Sequence, residues 1–167
     1  MKNYRVPTLT IAGSDSSGGA GVQADLKTFS AIGTYGMSVI TAVTAQNTEG
    51  VFAVEELSGE IIKSQIKAVF DDIEPAAVKI GMVSSPEIIV DIVNTIKKYN
   101  PSFLVVDPVM ISKSGYSLLK PEAKENLIKY LIPMAYLVTP NVPEAEEITG
   151  IKLSLIHISE PTRLRRI

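Results

Sequence analysis

The sequence predicts a mainly parallel α/β sheet with helices on both faces, because short apolar runs alternate with amphipathic helical repeats along most of its length. Its 167 residues suit one domain. No uninterrupted apolar run approaches the roughly eighteen residues that a membrane span requires. The formal charge of −2 gives no broad electrostatic footprint for nucleic acid or anionic lipid. Zero cysteines exclude a disulfide framework, a thiolate nucleophile and a cysteine-ligated metal, and one histidine cannot supply a histidine cluster. Chemistry must come from carboxylates, amides, hydroxyls, lysines and backbone donors. Met1 to Pro7 lacks the basic start and long apolar run of a secretory signal, so the expected location is the cytoplasm.

Val6 to Ala12 reads as a strand, and the glycine-rich run Gly13 to Gly21 ends it. A helix follows through Ile32, with Val22, Leu26, Phe29 and Gly33 near one face. At ~100° per residue Asp25 falls about 60° from Val22, beside that face. Met37 to Ala45 is the next apolar run, and the turn-compatible residues 46–50 place Gln46 at a strand end. Ile62, Ile66, Val69 and Ile73 give one helical stripe. Ile89, Ile92, Val93 and Ile96 give another, stopped by Asn100 and Pro101. Between them Ala77 to Ile80 is a short strand. Phe103 to Val106 is a further strand, and the loop from Asp107 onward contains Lys113. Pro121 suits the first turn of a helix carrying Ala123, Leu127 and Leu131. Ala135 to Val138 is the last strand, and a helix over Pro143 to Thr149 stops at Gly150.

In such a fold ligands occupy the loops beyond the strand C-termini, where Gly13, Gln46, Gly81, Asp107 and Asn141 all fall. The glycine-rich run holds neither a Walker A sequence nor a complete dinucleotide fingerprint. Its glycines suit close approach to a ligand or simply a tight turn, and Ser14 and Asp15 add a hydroxyl and a carboxylate. Asp25 suits either a substrate hydroxyl or amine, or a helix cap. Gln46 can pair with a heteroaromatic edge or with local backbone. Met82 and Val109 can wall a flat ring or pack as ordinary core. Asp107, directly after a strand, suits Mg²⁺ or phosphate placement, or a turn before Pro108. Asn141 and Glu144, three positions apart at a strand-to-helix transition, can organise a hydrated Mg²⁺ or form an N-cap with an acidic first turn. Lys113 suits phosphate neutralisation or a solvent-facing loop.

The segments Gly13-Ser-Asp-Ser-Ser-Gly-Gly-Ala-Gly-Val-Gln-Ala-Asp25, Val43-Thr-Ala-Gln46-Asn-Thr, Lys79-Ile-Gly-Met82, Val106-Asp-Pro-Val-Met110 and Thr139-Pro-Asn-Val-Pro-Glu144 together resemble bacterial hydroxymethylpyrimidine and phosphomethylpyrimidine kinases over about residues 6–150. The resemblance implies a ribokinase-like fold that uses ATP and Mg²⁺ for two successive phosphorylations in thiamine biosynthesis. It also implies a pyrimidine site at Gly13, Asp25, Gln46, Met82 and Val109, and a phosphate and metal region at Asp107, Asn141 and Glu144. No catalytic residue is assigned. The expected partner is a small pyrimidine, without nucleic acid or membrane, and with a homodimer in the intact protein. Pyridoxal, pyridoxine or pyridoxamine kinase is an alternative, as is a pyrimidine-binding module without transfer.

The family chain continues past the position of Gly150 to a glycine-rich anion hole and catalytic segment, so the sheet is expected to be incomplete on its C-terminal side and the chain to have little or no kinase activity. Composition also changes there. Four of the sixteen basic residues but one of the eighteen acidic ones fall in 151–167, so residues 1–150 carry −5 against −2 for the whole. Leu155 to Arg166 resembles vector- or adapter-derived peptide. The expected organisation is the N-terminal portion of a ribokinase-like kinase domain over 1–150 and a non-native or disordered tail over 151–167.

Overall fold

Pro7–Ala12 (β1) leads through the glycine-rich turn into Gly21–Ala31 (α1), and the chain returns beside it as Tyr35–Ile40 (β2). The computed structural model describes residues 5–110 and 121–153, so the readings that fall on Lys113 and on 154–167 lie outside the described residues. Next come Ala42–Gln46 (β3), Val51–Glu56 (β4), Gly59–Phe70 (α2), Ala77–Ile80 (β5), Pro86–Tyr99 (α3) and Leu104–Val106 (β6). The last elements are Pro121–Asn126 (α4), Leu137–Val138 (β7) and Val142–Thr149 (α5). Between α4 and β7 the helix widens to π winding over Leu127–Leu131 and tightens to a 3-10 turn at Ile132–Met134.

Five strands form a parallel sheet in the order β2-β1-β5-β6-β7. Register and alternation divide its two faces. Leu9 and Ile11 pair with Val78 and Ile80 on one side and with Met37 and Val39 on the other. They join Ile62 and Ile66 of α2 and Ile89, Ile92 and Ile96 of α3 in one core. Burying each such aliphatic side chain contributes about 1.5–3 kcal/mol. The intervening positions of β1, Thr8 and Thr10, belong to the opposite face, where α1 packs on β1 and β2. That face is partly polar, and the site begins there.

Local signals set the helix starts. Ser58 and Ser85 accept hydrogen bonds from the amides of Ile61 and Ile88, and Pro86 occupies the first turn of α3. Each cap is worth ~1 kcal/mol. Asn100 ends α3 in the left-handed conformation, φ 46°.

The apolar run Met37 to Ala45, read as one strand, is two. The chain turns out of the sheet at Thr41, whose amide donates to Ala12 O and whose hydroxyl donates to Met82 O at 2.9 Å. β3 then pairs antiparallel with β4, a strand the sequence reading did not assign. Continuous hydrophobicity hid a break made by hydrogen bonds between distant residues. The last strand is two residues shorter than the expected Ala135 to Val138, and Ala135 caps the 3-10 turn, its amide donating to Ile132 O.

Candidate functional site

Asp15 builds the glycine-rich turn. One carboxylate oxygen accepts from the Ser17 amide and hydroxyl at 2.8 and 2.7 Å, and the other accepts from the amides of Gly19 and Ala20 at 2.9 and 2.8 Å. The residue is 2% exposed. Burial alone would raise its carboxyl pKa, but these hydroxyl and amide donors outweigh that and hold it below the usual aspartate range. With four donors from its own loop, the carboxylate serves the turn.

Two serines stitch the turn to the β3–β4 hairpin. Ser14 O accepts from Thr44 Oγ1 at 2.8 Å. Ser16 Oγ donates to Gln46 O at 2.6 Å and accepts from Gln46 N at 2.8 Å. The strand end carrying Gln46 is thereby fixed over the turn.

Asp25, in the second turn of α1, faces β1 and β5. Thr10 Oγ1 donates to its Oδ2 at 2.6 Å, and Lys79 Nζ donates to its Oδ1 at 2.8 Å. Lys79 Nζ also lies 3.6 Å from Asp107 Oδ2. The sequence reading assigned Lys79 no role. Its signal was a cation inside the apolar strand Ala77–Ile80, a position that requires a compensating charge.

Gly13, Asp25, Gln46, Met82, Asp107 and Val109 all line one cavity of about 510 Å³, with Lys79 and Gly81 in its wall. Gly13 makes room for the Met82 methyl group, which lies 2.5 Å from where a Cβ on residue 13 would stand. The cavity thus combines carboxylates, an amide, an ammonium and an apolar wall.

Asn141 and Glu144 do not line it. Asn141 Oδ1 accepts from the Glu144 amide and Glu144 Oε2 accepts from the Asn141 amide, both at 2.9 Å. This reciprocal cap starts α5. Of the residues read as a phosphate and metal region, only Asp107 is at the cavity. Among the described residues no group of three or more His, Asp or Glu side chains is arranged to hold a metal. Mg²⁺ takes one or two carboxylates and completes its shell with water and phosphate oxygens, so Asp107 fits a cation that arrives with a nucleotide.

Fold and cavity place the chain in the ribokinase-like class of α/β proteins. It belongs to the phosphomethylpyrimidine kinase family, whose sequence profile matches residues 15–163. A hydroxymethylpyrimidine/phosphomethylpyrimidine kinase of Rhizobium meliloti (strain 1021) is 58% identical over 142 residues, covering 85% of this chain and 53% of the relative. The crystal structure of phosphomethylpyrimidine kinase from Clostridium difficile 630 superposes with a TM-score of 0.87 at 79% identity, covering 92% of this chain and 67% of that one. Bacillus subtilis pyridoxal kinase, solved as an ADP complex, gives a TM-score of 0.80 at 38% identity, covering 90% and 57%. The chain spans about half the length of the curated relatives it matches.

Proposed function

We propose that this chain forms the pyrimidine-binding part of a hydroxymethylpyrimidine and phosphomethylpyrimidine kinase of thiamine biosynthesis. The whole protein transfers phosphate from ATP to the hydroxymethyl oxygen of 4-amino-5-hydroxymethyl-2-methylpyrimidine, and then phosphorylates the monophosphate. The reading is carried by the convergence of Gly13, Asp25, Gln46, Met82 and Val109 on one cavity that also holds Asp107.

An aminopyrimidine needs directional donors and acceptors beside a flat apolar wall. Asp25 supplies an acceptor, Gln46 both kinds of group, Met82 and Val109 the wall, and Gly13 the close approach. Asp107 would hold a hydrated Mg²⁺, and that cation, when bound, would supply positive charge against the transferred phosphate. Asn141 and Glu144, which cap the start of α5, are assigned to the phosphate and metal region by the family resemblance alone. The 167 residues alone bind the pyrimidine but transfer little or no phosphate, because the relatives carry nearly as much chain again. A cytoplasmic homodimer is the assembly this reading gives the whole protein.

The likeness to pyridoxal kinase supports a second reading in which pyridoxal occupies the cavity. Parallel calorimetry with the two ligands separates them, followed by product analysis with ATP and Mg²⁺. The pyrimidine is expected to bind more tightly. Preference for pyridoxal favours the second reading, and failure of a demonstrably folded sample to bind either ligand overturns both.

A further inference from the structure

Lys79 occupies the middle of the sheet, on β5 between β1 and β6. A cation at such a position destabilises the fold unless its charge is met. The register solves this locally. Lys79 is the cross-strand partner of Thr10, so both side chains emerge on the α1 face and reach the same carboxylate. Thr10 takes one oxygen of Asp25 and Lys79 the other, while the same ammonium leans toward Asp107 at 3.6 Å.

We propose that Lys79 is a positioning residue that holds the Asp25 carboxylate toward the cavity at a fixed separation from Asp107. The ligand's identity rests on the pyrimidine reading, whereas the positioning rests on the Thr10–Asp25–Lys79–Asp107 geometry. Each Asp25 oxygen already accepts from one protein donor and keeps further lone-pair capacity. The remaining capacity can only accept, so a ligand group docked there must bring an N–H or O–H. A carboxylate selects for amines and alcohols by being acceptor-only, and Lys79 and Thr10 fix the direction in which that acceptor faces the cavity. Without Lys79 the carboxylate is held by Thr10 alone and its second oxygen can swing.

Calorimetry of the 167-residue chain with 4-amino-5-hydroxymethyl-2-methylpyrimidine tests this, using Lys79→Met, Lys79→Arg, Asp25→Asn and the double variant Lys79→Met/Asp25→Asn. Lys79→Met is expected to weaken binding about tenfold or more, as loss of a charge-assisted hydrogen bond does. Lys79→Arg is expected to recover most of that loss, and the double variant to bind no worse than the weaker single one. Unchanged binding by Lys79→Met, or losses that multiply in the double variant, overturns the proposal. Should Lys79→Met fail to fold, Lys79→Gln carries the same expectation. If the unsubstituted chain binds no pyrimidine, the pyrimidine reading fails and crystal structures decide the positioning role. Asp25 turned away from the cavity in Lys79→Met supports it, and Asp25 unmoved overturns it.

Discussion

A Cβ on Gly21 would lie 2.3 Å from the carbonyl oxygen of Gly13, the same oxygen that accepts the Val22 amide at 3.0 Å. The first turn of α1 is therefore closed onto the end of β1 through bare backbone. Gly21 also has φ 56°, in the left-handed region. Gly21→Ala is expected to cost about 2 kcal/mol or more, since it adds a backbone clash to a strained conformation. Gly33→Ala is the control: φ is 83° but the space around its Cβ is open, so only the left-handed conformational cost of about 1 kcal/mol applies. Denaturant melts giving equal losses for the two would contradict this account.

Asp15→Ala removes the acceptor of four loop hydrogen bonds and leaves their donors to find water. A loss of roughly 2–3 kcal/mol is expected. Proteolytic cleavage should appear within residues 16–20 before it appears in β1 or α1. A first cut elsewhere, or an unchanged melt, would count against Asp15 as the organiser of the turn.

The depressed Asp15 carboxyl pKa gives stability a definite pH sense. An unfolded aspartate titrates near ~3.9, so the contribution is complete above that pH and is lost as pH falls through the lower folded value. The melting-temperature gap between the native chain and Asp15→Ala should be constant above about pH 5 and narrow below about pH 4. A gap that widens on acidification would reverse the assigned sign.

The parallel core was legible because its signal is local: Ile89, Ile92 and Ile96 repeat at helical spacing, and Leu9 and Ile11 alternate along β1. The site was legible to the extent that position along the chain predicts position on the sheet. Gly13 and Asp107 each follow a strand of the parallel sheet, Gln46 ends β3 of the hairpin, and all three line one cavity. What sequence spacing cannot carry is register. Only the pairing of Thr10 with Lys79 brings that lysine to Asp25, across 54 positions. The same holds for the bend at Thr41, fixed by carbonyls of residues 12 and 82. Asn141 and Glu144 show the reverse case, where three-residue spacing fitted both a metal role and a cap, and side-chain geometry makes the cap.

That cap gives a separable expectation. Asn141→Ala should lower stability by about 1 kcal/mol while leaving the pyrimidine affinity of the chain unchanged, because Asn141 is not in the cavity wall. Calorimetry and melting on one sample read both quantities. Weakened pyrimidine binding at unchanged stability would place Asn141 at the ligand instead.

Gln46 should show the opposite behaviour. Ser16 holds the backbone of residue 46 from both sides, through its carbonyl and its amide, so the strand end does not depend on the side chain. The carboxamide oxygen has one long contact, to Thr44 Oγ1 at 3.4 Å, and therefore adds little to the fold. Gln46→Ala is expected to change stability by less than about 0.5 kcal/mol, in the range of substitutions that touch no structural feature. Pyrimidine affinity should fall about tenfold, the worth of a hydrogen bond whose ligand partner is left unpaired. Gln46→Glu keeps the oxygen and replaces the donor, so a ligand that accepts from the amide should lose at least as much with Glu as with Ala. Recovery of binding by Gln46→Glu would mean that the amide acts as an acceptor, and would reverse the orientation of the ring in the cavity.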